Sequence, residues 1–149
     1  MGSDDPAPGD WLVLYGSLMR GLGAMDRLGV GGGLRFVGPC TCTGALFDLG
    51  DHPGLCRGQD RIVAELYAIL DPSVVETLDA FEDYVPGRPD DSLYLRERTR
   101  LVEPAGTIAW IYRYNQTPPA RRRVASGDWR AHLEERDRVP DEPDRRRVD

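Results

Sequence analysis

The sequence predicts an α+β domain, a small mixed or antiparallel β-barrel or curled sheet with a few flanking helices. Stretches rich in aliphatic, β-branched and aromatic residues recur at 11–18, 34–49, 61–70, 94–102 and 107–114, separated by glycine- and proline-marked turns. That is the pattern of short strands with tight connections. Only residues 73–82 combine a good helix start with a helical apolar period. The chain of 149 residues is long enough for one domain whose core needs neither disulfides nor a metal.

Taken in order, residues 1–10 are acidic and contain Pro and Gly, with no cationic segment leading into an apolar run. They read as a flexible leader rather than a signal peptide. The first strand, Trp11-Leu12-Val13-Leu14, runs into Tyr15-Gly16-Ser17-Leu18. A glycine there lets the backbone turn sharply, and N–H groups left unpaired in a concave turn make an anion site. Residues 21–33 are glycine-rich around Met25, Leu28 and Val30 and hold at most a short helix. They contain no strand-linked Gly-x-Gly-x-x-Gly, so no dinucleotide fold is indicated. Residues 34–49 and 61–70 read as antiparallel strands, with Gly50-Asp51-His52-Pro53-Gly54 a turn by composition and His52 a turn residue.

Asp71 is a good N-cap and Pro72 a good first helical residue, which starts a helix over 73–82. At about 100° per residue, Val74, Val75, Leu78 and Phe81 share an apolar arc that contains Glu82, while Glu76, Asp79 and Asp83 fall on the opposite, water-facing side. A carboxylate on the apolar arc has two readings. It turns outward at the helix end or pairs with an arginine such as Arg96, or it lies in a partly dry cleft where burial raises its pKa and suits it to proton transfer.

Residues 94–102 form the next strand, with Tyr94 and Arg96 on one face. Tyr94 either borders a ligand or is a core aromatic with its hydroxyl at the rim. Ile108, Trp110, Tyr112 and Tyr114 share a face of the last strand and read as core. Ser126-Gly127-Asp128-Trp129 reads as a turn that docks Trp129, and residues 133–149 as a mobile charged tail.

Composition excludes several chemistries. A net charge of −6 argues against nucleic-acid binding, even with arginine clusters at 121–123 and 145–147. No apolar stretch has membrane-spanning length, so a soluble, cytoplasmic protein is expected. The chain has no lysine, which removes Schiff-base chemistry and a Walker-type lysine. Cys40, Cys42 and Cys56 form no Cys-x-x-Cys pair and read as reduced thiols, and a zinc site on His52 and Cys56 would lack further ligands.

Two separated motifs carry a resemblance. The strand ending in Tyr15-Gly16-Ser17-Leu18 with Arg20 after it, and Leu78-Asp79-Ala80-Phe81-Glu82, resemble segments of the γ-glutamylcyclotransferase family, with its AIG2-like and γ-glutamylamine cyclotransferase branches. Leu49-Gly50-Asp51-His52-Pro53-Gly54 is similar to the family's leucine-glycine-x-proline-glycine turn with one residue more, and Ser126-Gly127-Asp128-Trp129 resembles a C-terminal motif of the AIG2-like branch. The resemblance spans residues 11–132. It implies release of an amine or amino acid from a small-molecule γ-glutamyl amide, the substrate's own α-amine closing on its γ-carbonyl to give 5-oxoproline, without a cofactor. It further implies that Glu82 is the catalytic acid/base and that Tyr15, Gly16, Ser17, Leu18 and Tyr94 lie at the substrate. Asp83-Tyr84 stands where many members have a glycine. Two other readings stay open. One is a serine hydrolase using Ser17 with His52 or His132, although Tyr-Gly-Ser-Leu-Met is not a Gly-x-Ser-x-Gly elbow. The other is a non-catalytic small-molecule-binding or regulatory protein on the same scaffold.

Overall fold

In the computed structural model, which describes residues 5–138, β1 (Trp11–Leu14) is the middle strand of a five-stranded sheet. Leu12, Val13 and Leu14 are all nearly inaccessible. Successive buried residues in a strand require cover on both faces, and this explains why β1 reads as an unbroken apolar run. The chain continues through α1 (Ala24–Leu28), β2 (Leu34–Asp48), β3 (Pro53–Ile69), α2 (Ser73–Phe81), β4 (Tyr94–Arg100), β5 (Ile108–Tyr114) and α3 (Trp129–Arg138).

The spatial order is β2-β3-β1-β5-β4. β1 runs antiparallel to β3, with Leu14 opposite Glu65, and parallel to β5, with Leu12 opposite Trp110. β2/β3 and β4/β5 are antiparallel pairs. The mixed α+β class is the expected one, but the barrel is not closed. Closure requires the edge strands to pair along their length, whereas among the described residues β2 bridges the segment after β4 only at Thr41–Glu103.

β3 begins at Pro53, well before the expected residue 61. Ala45 pairs with Cys56 while Gly44 pairs with Asp60, so residues 57–59 bulge out of the ladder. Their exposed, polar character hid the first part of the strand from a reading by composition. α2 starts as predicted: the Asp71 carboxylate accepts from the Ser73 N–H at 3.0 Å and from its hydroxyl at 2.8 Å.

The ends of the described chain are more attached than expected. Asp10, assigned to the leader, accepts from Ile69 N–H at 2.8 Å through its carbonyl and from the Trp110 indole at 3.1 Å through its carboxylate. Trp129 is docked as predicted, 1% exposed. Residues 133–138, expected in the mobile tail, instead continue α3, where Arg136 donates to the Gly50 carbonyl at 2.9 Å. The rest of that tail, 139–149, and residues 1–4 of the leader lie outside the described residues.

Candidate active site

A cavity of about 270 Å³ opens where β1 ends. Its walls are the turn after β1 (Tyr15, Gly16, Ser17, Leu18), the β2/β3 turn (His52, Pro53), the end of α2 (Phe81, Glu82, Asp83) and the entry to β4 (Leu93, Tyr94). Every site residue expected from the sequence therefore borders one cavity.

The turn after β1 is shaped by a close approach. A Cβ on Gly16 would sit 2.7 Å from Pro53 Cγ, and Gly16 is not among the residues with positive φ. Glycine is required here for contact with the hairpin turn rather than for a left-handed backbone. Met19 N–H donates back to the Gly16 carbonyl at 2.9 Å, while the N–H groups of Gly16, Ser17 and Leu18 have no acceptor among the described residues. Three adjoining unsatisfied donors beside a cavity are a group that can receive an anion.

Tyr15 and Tyr94 both border the cavity, and both of their hydroxyls are engaged. Tyr15 donates to the Tyr112 carbonyl at 2.6 Å and accepts from Leu55 N–H at 3.2 Å. Tyr94 donates to the Pro53 carbonyl at 2.7 Å. Burial first, and then the nearby Glu82 charge, hold both phenols above their ordinary pKa, so they stay neutral.

Glu82 closes α2 at its C-cap, where its N–H donates to the Leu78 carbonyl at 2.9 Å. Its carboxyl group is half-buried and has no hydrogen-bonding or ionic partner among the described residues. Burial, and secondarily the charge of Asp83, push its pKa up to about 8. Asp83 itself has φ 54, a left-handed conformation that Asp tolerates better than most residues. A glycine would adopt the same geometry without strain.

The face of α2 differs from the expected one. Val75, Leu78 and Asp79 are buried, whereas Phe81 is 39% exposed at the cavity mouth. On a helical wheel that face centres at roughly the angle of Glu82. Asp79, expected toward water, is 8% exposed, held by the Arg96 guanidinium and by the Tyr112 hydroxyl at 2.6 Å. A reading by apolarity misplaces such a residue, since a paired carboxylate is polar and buried at once. Arg96 lies 5.0 Å from the Tyr84 ring centre and 5.4 Å from that of Trp110. Its pairing with Asp79 removes the sequence-based option of a Glu82–Arg96 pair. Asp79, Arg96 and Tyr112 thus support the site; the strand alternation placed Arg96 on one face with Tyr94 and read Tyr112 as core, but nothing in the sequence paired either with Asp79.

The two histidines separate. His52 lies in the β2/β3 turn, as expected, and also borders the cavity, but no hydrogen bond joins it to Ser17. His132 is on α3, 2.7 Å from the Asp48 carboxylate and outside the cavity wall.

The arrangement defines a class: an open α+β sheet whose central strand ends in a turn of free N–H groups, beside an unpaired carboxyl group at a helix C-cap. A family model described as "Gamma-glutamyl cyclotransferase, AIG2-like" matches residues 12–131, and the chain belongs to this family. A Vibrio cholerae protein named "Putative gamma-glutamylcyclotransferase" is 38% identical over 85 residues, covering 57% of this chain and 65% of that protein, somewhat less than two thirds of its length. Among solved structures, uncharacterized protein PH0828 from Pyrococcus horikoshii aligns with a TM-score of 0.65 at 18% identity, covering 88% of this chain and 98% of that one. An AIG2-like protein from Mus musculus aligns with a TM-score of 0.62 at 16% identity, covering 83% of this chain and 89% of that one. At these identities the two structures are similar in fold.

Proposed function

We propose that this chain is a cofactor-independent γ-glutamylcyclotransferase, releasing an amine or amino acid from a γ-glutamyl amide as the glutamyl half closes to 5-oxoproline. The carrying observation is Glu82, a carboxyl group at the cavity without a partner among the described residues, its pKa raised to about 8. A group poised near neutral pH accepts and returns a proton at little cost. Glu82 takes a proton from the substrate's α-ammonium. The freed amine forms a C–N bond to the γ-carbonyl carbon, and the bond to the leaving nitrogen breaks as Glu82 hands that nitrogen the proton. The second proton, left in excess on the ring nitrogen, passes through the regenerated Glu82 carboxylate to the departing amine, so that the lactam and an ammonium leave and Glu82 is again ionised. The nucleophile is part of the substrate, so the protein mainly holds a cyclisation-ready conformer.

Among the described residues, no lysine or arginine side chain borders the cavity. The substrate's α-carboxylate is therefore assigned to the free N–H groups of Gly16, Ser17 and Leu18, with Tyr15 and Tyr94 flanking it. The proposed setting is the cytoplasm and the proposed partner a small molecule, with neither nucleic acid nor membrane involved. Among the described residues, no helix is long and apolar enough to cross a membrane.

The test is product analysis over a panel of γ-glutamyl amides in heavy-oxygen water. Ring closure yields unlabelled 5-oxoproline and fails when the α-amine is acetylated. Labelled glutamate as primary product would assign a hydrolase. Absence of turnover across the panel would favour a binding protein.

A further inference from the structure

We propose that Glu65 on β3 and Arg130 on α3 are positioning residues that brace the turn after β1 from behind. The proposal rests on the cyclotransferase reading only for the identity of the anion that the turn receives. Glu65 is 6% exposed and lies opposite Leu14, the last residue of β1. One of its oxygens accepts from the Arg20 N–H and from the Tyr67 hydroxyl, each at 2.9 Å. The other accepts from Arg130 Nη2 at 3.2 Å and from Arg20 Nε at 3.4 Å. Arg130 Nη2 also donates to the Arg20 carbonyl at 2.7 Å.

Both backbone polar groups of Arg20 are thus held by residues from distant parts of the chain. At its other end the turn is continuous with the β1 ladder and pressed against Pro53 through Gly16. Between those anchors the N–H groups of Gly16, Ser17 and Leu18 are left without acceptors among the described residues. A free loop of this length would sample many peptide orientations, and fixing it beforehand spares a ligand that ordering cost. Neither Glu65 nor Arg130 borders the cavity, so they act through the turn.

An α-carboxylate is bound alike in ground state and transition state, so loosening its site raises KM and spares kcat. The variants are Arg130→Ala, at a side chain 36% exposed, Arg130→Lys, and Glu65→Gln. Each is titrated with 5-oxoproline and with 2-pyrrolidinone, the same ring without the carboxylate, while the Gly16, Ser17 and Leu18 amide signals are followed by NMR. In Arg130→Ala, 5-oxoproline should bind about three- to tenfold more weakly, with 2-pyrrolidinone unaffected, KM raised in step and kcat within about twofold. Arg130→Lys should recover part of the loss, and Glu65→Gln should repeat it. Equal weakening of both ligands, a fall in kcat matching the rise in KM, or unchanged affinity in the folded variants would overturn the brace. If no γ-glutamyl amide yields 5-oxoproline, the cyclotransferase reading falls. Turn amides that still respond to 5-oxoproline, and less so in Arg130→Ala, would even then uphold the brace, while turn amides silent in the wild type would overturn it.

Discussion

Replacing Glu82 with glutamine tests its environment and its role together. The folded carboxyl group has a pKa of about 8 against an ordinary value of 4.5, so the native state binds the proton more tightly than the unfolded chain. Stability tied to this group is fully present below the ordinary value and is lost as pH rises through about 8. At about 1.4 kcal/mol per pH unit, the whole interval caps the loss at about 5 kcal/mol. Water at the cavity mouth reduces that to about 2–3 kcal/mol between about pH 5 and about pH 8. Glutamine fills the same space and carries no charge, so Glu82→Gln should gain on the wild type by this amount over the interval. Urea unfolding of both proteins across the pH series measures it through the midpoints at constant slope. The same variant should lose cyclisation by a factor of about 10²–10⁴, since an amide cannot relay a proton. Wild-type and variant stability curves that stay parallel from acid to alkaline pH would refute the buried-carboxyl argument. A folded variant with near wild-type turnover would refute the catalytic one.

Other expectations follow from neighbouring residues. In Asp83→Asn, which suits the same left-handed backbone, the ascending limb of kcat/KM against pH should move to lower pH, and by less as salt is raised, because one of the two causes of the raised Glu82 pKa is gone; an unmoved limb in low salt would remove Asp83 from the account. Asp79→Asn leaves Arg96 without its buried counter-charge and should destabilise the fold by about 3–5 kcal/mol, read by urea unfolding, whereas a loss below about 1 kcal/mol would mean that the pair is not desolvated. Ser17→Ala should cost about tenfold or less in kcat/KM, because the turn acts through backbone donors; complete inactivation together with labelling of the wild type by a serine-directed phosphonate would instead support a hydrolase.

The sequence by itself determined the features whose causes are local. An Asp-Pro start at 71–72 caps α2 whatever packs against it, and the apolar run at 11–14 reads as a covered strand before its neighbours are known. Glu82 stood out for a similar reason, as an acid at helical spacing among apolar residues. Tertiary structure decided what depends on contacts between distant stretches. It gathered the turns at 15–18 and 52–53 with 81–83 and 93–94 around one cavity, and between the barrel and the curled sheet that the sequence allowed it left the sheet open. It also assigned the charges: Arg96 went to Asp79 and left Glu82 unpaired, and Glu65 was taken up by Arg20 and Arg130. A carboxylate's pairing, and hence its pKa, is set by which opposite charge reaches it and how much water remains, and neither is a property of its neighbours in the chain.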